Sequence, residues 1–131
     1  ATSLRENLRL AAPDAPDDDL VAALREAGLG DWFDAQPSGL DTRLGTGGPG
    51  VSGGERARLG LARALASRRP VVLLDEPVAH LDHATAVTVL RDVDRATRGR
   101  TVVMVSHRAE GLEGARTVHI APPATSLTTV S

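Results

Sequence analysis

Two segments in a fixed order constrain the fold of this chain most. The first reads Ser-Gly-Gly-Glu at residues 52–55 and opens a stretch with apolar residues at helical spacing. The second, at residues 71–76, reads Val-Val-Leu-Leu-Asp-Glu, an apolar strand that ends in two carboxylates. Unpaired N–H groups at a helix N-terminus can hold a phosphate, and carboxylates can hold Mg²⁺ and activate water. Together the segments predict a site that acts on a nucleotide.

The absence of lysine is equally informative. All 15 basic residues are Arg, so the chain cannot contain a Gly-x-x-x-x-Gly-Lys-Ser/Thr loop, which cradles nucleotide phosphates. We therefore expect half of a nucleotide-binding unit, with the phosphate loop upstream or in a partner, and no hydrolysis by this part alone. The chain begins at Ala1 without an initiator Met, which favours a piece of something longer.

Composition limits the remaining classes of protein. A length of 131 residues fits one domain, and the lack of Cys excludes disulfides and thiolate metal sites. A net charge of −2 argues against a dedicated nucleic-acid surface. No apolar run approaches the roughly 20 residues that span a bilayer. The aromatic residues are Trp32 and Phe33, so the core must consist mainly of Leu, Val and Ala.

Residues 1–50 are predicted to form a small helical region. A capping box at Ser3 and Glu6 starts a helix that Pro13 ends, and a second helix covers residues 17–27 before Gly28. The three Asp at residues 17–19 fit a helix dipole better than a metal site. A third short helix at 31–35 carries the two aromatic residues as core, and residues 37–50 form a Gly-rich loop.

The remaining residues follow an α/β pattern. A helix at 54–66 is followed by a buried strand at 71–74, a helix at 84–97 that Gly99 ends, and a strand at 101–105. This order predicts a right-handed parallel crossover. A last short strand is expected at 117–120, and the Ser/Thr-rich residues 121–131 are typical of a disordered tail.

The expected chemistry lies where the two long strands end. Asp75 and Glu76 follow one strand and His107 follows the next, and the carboxyl ends of parallel strands share one edge of a sheet. Asp75 can hold Mg²⁺ through water, Glu76 can orient or deprotonate the attacking water, and His107 can contact the γ-phosphate.

Two other interpretations of these motifs stay open. His80 and His83, with Asp82 between them, could hold Zn²⁺ weakly, although no fourth ligand is evident. The Ser-Gly-Gly-Glu segment could also be a capped helix and nothing more. The consecutive glycines favour a ligand, because they permit close backbone approach, which capping alone does not require.

These residues resemble the ATP-binding-cassette (ABC) ATPases over roughly positions 1–120. Residues 51–55 match the signature, usually Leu-Ser-Gly-Gly-Gln, with Val51 and Glu55 as departures. Residues 71–76 match the Walker B strand, residues 79–82 the D-loop, and His107 the switch histidine. The resemblance implies an α/β, partial P-loop NTPase fold that lacks the Walker A half. Its parts would be a helical subdomain and loop (1–50), the signature-to-H-loop core (51–120) and the tail.

In that family two nucleotide domains sandwich two ATP molecules. The resemblance implies that Asp75, Glu76 and His107 act on the nucleotide of their own domain. The signature residues Ser52, Gly53, Gly54 and Glu55 would bind the partner's nucleotide, and Asp82 of the D-loop is also implied to be cofactor-binding.

Shorter stretches resemble exporters. Ser-Leu-Arg-Glu-Asn-Leu at residues 3–8 and Gly-Leu-Asp-Thr at 39–42 are exporter-like, while Thr46 stands where an acidic residue is expected. Gly-Leu-Gly-Asp-Trp at 28–32 and Glu-Pro-Val-Ala-His-Leu-Asp at 76–82 are similar to CydC-like subunits of the cysteine/glutathione exporter that supports cytochrome bd assembly. The resemblance implies ATP and Mg²⁺ as cofactors, with transmembrane domains and a second nucleotide-binding domain as partners. The implied location is the cytoplasmic face of the bacterial cell membrane.

Two other classes of function remain. One is a soluble ABC ATPase of DNA repair or translation, and the exporter-like segments and the absence of a basic surface count against it. The other is a non-catalytic interaction module derived from a cassette, and the presence of both Glu76 and His107 counts against that.

Overall fold

The computed structural model describes residues 2–45, 50–108 and 114–120. The elements are β1 (Thr2–Ser3), α1 (Leu4–Arg9), α2 (Asp17–Glu26), α3 (Gly30–Asp34), a 3₁₀ turn (Gly39–Asp41), β2 (Arg43–Leu44), α4 (Gly53–Ala66), β3 (Val71–Asp75), α5 (His83–Ala96) and β4 (Thr101–Val105). The predicted α/β order of helices followed by parallel strands is confirmed. Thr46 and the predicted tail at 121–131 lie outside the described residues.

The first two helices begin and end where local chemistry dictates. Ser3 caps α1, because its hydroxyl accepts the Glu6 N–H at 3.1 Å and its own N–H donates to the Glu6 carboxylate at 2.7 Å. The latter bond holds the pKa of the Glu6 carboxyl below its usual value. Helix α2 carries three Asp in its first turn and ends before Gly28, whose φ of +80° suits glycine.

The segment predicted as a loop at 37–50 is partly ordered by long-range contacts. Gly39–Asp41 forms the 3₁₀ turn, and Arg43–Leu44 pairs antiparallel with Thr2–Ser3. Leu40 and Thr42 are buried, and the Leu4 N–H donates to Thr42 O at 2.8 Å. The loop prediction was therefore wrong for residues 39–44, because pairing with the start of the chain is not visible in local composition.

One apolar core joins the helical region to the α/β part. Leu4, Leu8, Leu20 and Leu24 are fully buried, and they belong to one cluster with the apolar faces of α4 and α5. Trp32 and Phe33 are half-buried against this cluster, in keeping with their predicted place in the core. Ion pairs on the surface of the helical region join Arg5 to Asp17 and Asp41, Arg9 to Asp17, and Arg68 to Asp19.

Strands β3 and β4 pair in parallel, as the crossover pattern predicts. Their register runs from Val71 opposite Thr101 to Asp75 opposite Val105. Val72 is buried on one face, but Leu73 on the other face is 72% exposed and Val103 is 51% exposed. The prediction of a fully buried strand was wrong within the described chain, because the side chains of a strand alternate between two faces and the described helices cover one.

The predicted strand at residues 117–120 does not form. Residues 115–120 have no regular structure, and Val118 and Ile120 are exposed. A strand requires a paired edge, and no other described segment pairs with this one. Within the three described ranges, no helix is long and apolar enough to cross a bilayer.

Truncation of a core leucine tests the packing of α2 against the rest. Leu24→Ala is expected to lower the free energy of unfolding by about 2–5 kcal/mol, because Leu24 is fully buried. Leu10→Ala is the matched control, since Leu10 is 70% exposed and its truncation should change stability by less than about 0.5 kcal/mol. Denaturant unfolding measures both, and equal effects would contradict the described core.

Candidate functional site

The turn at residues 52–54 is a capped helix N-terminus. Ser52 Oγ accepts the Glu55 N–H at 3.2 Å, and the Ser52 N–H donates to Glu55 Oε2 at 2.8 Å, so the predicted capping box is confirmed. The Glu55 carboxylate is therefore turned toward the backbone of the turn. A carboxylate only accepts hydrogen bonds, so Glu55 cannot donate to a phosphate through its side chain.

The capping box leaves several donors available. In the described part of the chain, the N–H groups of Gly53 and Gly54 have no acceptor. The Ser52 hydroxyl accepts one hydrogen bond and keeps its proton for another acceptor. With the dipole of a 14-residue helix behind them, these donors suit an anion such as a phosphate.

Both glycines of the turn also pack closely against helix α5 and the residues before it. A Cβ on Gly53 would lie 2.8 Å from Leu81 Cδ2, and one on Gly54 would lie 3.0 Å from Thr85 Cγ2. Gly54 is buried. Packing within the chain therefore also favours glycine here, so the close backbone approach that the glycines permit serves contacts within the chain as well as a ligand.

Asp82 is the N-cap of α5. Its two carboxylate oxygens accept the Thr85 hydroxyl at 2.6 Å and the Thr85 N–H at 3.0 Å. These bonds hold the pKa of the Asp82 carboxyl below its usual value, with the hydroxyl as the larger cause. Asp82 thus orders the start of α5 and the threonine that contacts Gly54. A nucleotide-binding role was predicted for Asp82 from the sequence, and this capping role was not.

Glu76 has an unusual backbone conformation. Its φ is +47°, in the left-handed region that residues with side chains rarely occupy, and its N–H donates to Val105 O at 2.8 Å. Strain of this kind concentrates at functional sites when surrounding structure enforces it. Glu76 directly follows Asp75, the last residue of the parallel register, which pairs with Val105.

The same register brings Glu76 and His107 together, as predicted. His107 Nε2 lies 3.1 Å from Glu76 Oε1, and the His107 side chain is 94% exposed. Glu76 Oε1 is buried, and within the described chain it receives no hydrogen bond of good geometry, so the two groups are close but not aligned. The Glu76 side chain as a whole is 26% exposed, so its carboxylate is only partly open to solvent.

Asp75 occupies the last position of β3 and is exposed. One carboxylate, completed by water and phosphate oxygens, is a common way of holding Mg²⁺ in nucleotide sites, so Asp75 fits that ion. No group of three or more His, Asp or Glu in the described ranges is arranged to hold a metal by itself. The weak Zn²⁺ site considered at His80 and His83 therefore has no structural support.

A cleft of about 180 Å³ lies between the turn and Glu76, and Gly53, Glu76 and Leu81 line it. The turn and the strand end thus both contribute to the lining of one small cleft.

Two residues with a part in this arrangement were not predicted. Thr85 fixes Asp82 and contacts Gly54, and the Asp-x-x-Thr spacing of a helix cap was the signal that could have identified it. Arg58 also contacts Gly54 and pairs with Asp92, which is 34 residues away. That pair leaves no local signal in the sequence.

Comparisons with known proteins bear on the family and the fold. The family model described as ABC transporter matches residues 1–79. The chain is 44% identical over 112 residues to the glutathione/L-cysteine transport system ATP-binding/permease protein CydC of Escherichia coli (strain K12). It is 42% identical over 106 residues to the cyclolysin secretion/processing ATP-binding protein CyaB of Bordetella pertussis, and 38% identical over 113 residues to an ATP-dependent lipid A-core flippase of Neisseria meningitidis.

The matches cover most of this chain but only a small part of each relative. These three matches cover 86%, 81% and 86% of this chain but 19%, 15% and 18% of the relatives, so the chain spans less than a fifth of their length. A solved structure titled as a bacterial Atm1-family ABC exporter with ATP bound superposes with a TM-score of 0.70 at 28% identity. That superposition covers 87% of this chain and 20% of the exporter chain, so the predicted partial ABC fold is confirmed.

Two glycines of α4 give a matched test of the packed turn. Gly60→Ala is expected to raise the free energy of unfolding by up to about 1 kcal/mol, because nothing lies within 4 Å of its added Cβ and Ala favours helix. Gly54→Ala is expected to lower it by about 1–3 kcal/mol, because the Thr85 methyl cannot turn away without breaking the hydroxyl bond to Asp82. Denaturant unfolding of the two variants decides, and equal stabilisation would show that the turn is not packed against Thr85.

Proposed function

The chain belongs to the ABC transporter family, and we propose that it is part of the nucleotide-binding domain of an exporter that uses MgATP. Its lack of lysine means that a phosphate loop must come from outside residues 1–131, and we propose that this part alone does not hydrolyse ATP. We further propose the division into a helical subdomain and loop (1–50), the signature-to-H-loop core (51–120) and the tail (121–131). The observation that carries the proposal is the set of donors at the turn, the Gly53 and Gly54 N–H groups and the Ser52 hydroxyl, which have no acceptor in the described part of the chain.

On the nucleotide of its own domain, the chain would contribute the strand-end residues. Asp75 would hold Mg²⁺ through water, and Glu76 would orient the attacking water and take its proton. His107, 3.1 Å from Glu76, would reach the γ-phosphate from its exposed position. Bound MgATP supplies the phosphoryl group and the metal charge that stabilises its transfer.

On the nucleotide of the partner, the chain would contribute the turn. Ser52, Gly53 and Gly54 present donors that have no acceptor within the described ranges of the chain, and a γ-phosphate bound by the partner's phosphate loop would accept hydrogen bonds from them. Glu55 and Asp82 would lie beside that nucleotide while they cap α4 and α5. ATP binding would thereby close two nucleotide-binding domains, and hydrolysis would reopen them.

The finer assignment concerns the transported substrate. We propose cysteine or glutathione export in support of cytochrome bd assembly, at the cytoplasmic face of a bacterial membrane, because the 44% identical relative is named for glutathione and L-cysteine transport. Transmembrane domains and a second nucleotide-binding domain would be the partners, with no nucleic acid. The names of the other relatives, which concern cyclolysin secretion and lipid A-core flipping, also favour a transporter over an ATPase of DNA repair or translation. The juxtaposition of Glu76 and His107 counts against a non-catalytic module.

Replacement of one carboxylate by its amide tests the catalytic role. In the full-length protein with its partner, Glu76→Gln is expected to retain MgATP binding and to slow hydrolysis on the order of 10²-fold or more, because the amide keeps the shape and loses the base. Glu26→Gln is the control, since Glu26 is exposed at the end of α2. Steady-state ATPase assays and nucleotide-binding titrations measure both effects. Turnover of Glu76→Gln equal to that of the control would contradict the role of Glu76 as base.

A further inference from the structure

We propose that Arg58 is a positioning residue for the turn at 52–54 and that Asp92 holds Arg58 in place. This proposal rests on the proposed function, because it concerns what orients the N–H donors of that turn. Arg58 lies on α4 and Asp92 on α5, so the pair joins the two helices that meet at the turn.

The pair differs from the other ion pairs of the described chain in its burial. Arg58 Nε donates to Asp92 Oδ2 at 2.8 Å, and the two side chains are only 16% and 15% exposed. By contrast, Arg25 and Asp34 pair at 2.8 Å with both side chains 53% exposed. Exposed pairs contribute little to structure, whereas removal of one partner from a shielded pair leaves a charge without compensation.

Asp92 has little freedom to move. Its Oδ1 accepts a second hydrogen bond, from Arg95 Nη2 at 2.9 Å, so both carboxylate oxygens are engaged. The backbone of Gly28 lies against the same carboxylate, since a Cβ there would be 2.9 Å from Asp92 Oδ2. The carboxylate therefore sits where the end of α2 meets α4 and α5, and it offers Arg58 a fixed anchor.

Arg58 in turn touches the backbone that carries the donors. A Cβ on Gly54 would lie 3.2 Å from Arg58 Nη1 and 3.0 Å from Thr85 Cγ2, so the guanidinium and the threonine methyl enclose this residue. Gly54 is buried between these two neighbours, so displacement of the guanidinium would leave room for its backbone to shift. Donors to a developing phosphate charge must lie within about 2.7–3.1 Å of it, and a displacement of about 1 Å can cost on the order of 10²-fold in rate.

Loss of Arg58 should affect closure of the two domains and not nucleotide affinity. Loss of Arg58 should leave each domain's own phosphate loop intact, because Arg58 contacts the turn and not the strand-end residues. The N–H donors of the turn would no longer point at the partner's nucleotide. Closure of the two domains and turnover should then fail together, while the affinity of the open protein for MgATP is preserved.

The test uses the full-length protein in its assembled form with MgATP as the probe. Arg58→Met keeps the length of the side chain and removes the charged fork. We expect it to reduce both ATP-dependent dimerisation and turnover on the order of 10-fold or more, with MgATP affinity within about twofold of wild type. Asp92→Asn should reproduce most of this loss. The double variant should be no more than about twofold worse than Arg58→Met, because both changes break one contact.

Two further variants keep the test decisive. Arg25→Met, which breaks the exposed pair to Asp34, is the matched control and should leave turnover within about twofold of wild type. Arg58→Lys keeps the charge but loses the planar fork, so its turnover should fall between those of wild type and Arg58→Met, and it replaces Arg58→Met if that variant does not fold.

Several outcomes would overturn the proposal. These are unchanged dimerisation and turnover in Arg58→Met, wild-type turnover in Arg58→Lys, or losses that multiply in the Arg58→Met/Asp92→Asn double variant. A fall in turnover matched by an equal fall in MgATP affinity would also overturn it, since that indicates general destabilisation. A wild-type assembly without MgATPase activity would instead overturn the proposed function.

Discussion

The contact between two glycine backbones and the start of helix α5 is the interaction on which the candidate site depends. Gly53 lies against Leu81 and Gly54 against Thr85, so α4 begins in close contact with the residues that follow β3. Because the glycines pack through their backbones, their N–H groups stay available while the turn is held in place. The capping box at Ser52 and Glu55 satisfies the other donors of the first turn, so the donors that remain point to an anion from outside the chain.

A second constraint is the register of the parallel strands. Since Asp75 lies opposite Val105, the Glu76 N–H reaches Val105 O, and the next residues of each strand end place Glu76 beside His107. Helix packing thus holds the turn, and the sheet holds the strand end.

Local features of the sequence predicted the structure well where the interaction spans a few residues. The two Ser-x-x-Glu capping boxes, the end of α2 at Gly28 and the crossover from β3 to β4 are of this kind. Features that depend on distant partners were not predicted. The pairing of Thr2–Ser3 with Arg43–Leu44 and the contact of Arg58 with Asp92 leave no local pattern. The predictions of a fully buried β3 and of a strand at residues 117–120 were wrong. Apolar composition indicates that a segment can form a covered strand, but it does not show which segment pairs with it or covers it.

The central claim is that the turn at residues 52–54 binds a nucleotide held by the partner domain. A structure of the full-length assembly trapped with an MgATP analogue tests it most directly, through the distance from the Gly54 nitrogen to the nearest γ-phosphate oxygen. We predict about 2.7–3.1 Å to a nucleotide seated on the partner's phosphate loop. The account would be contradicted if one γ-phosphate contacted both this turn and Glu76 of the same chain. It would also be contradicted if the turn contacted no nucleotide in the closed assembly.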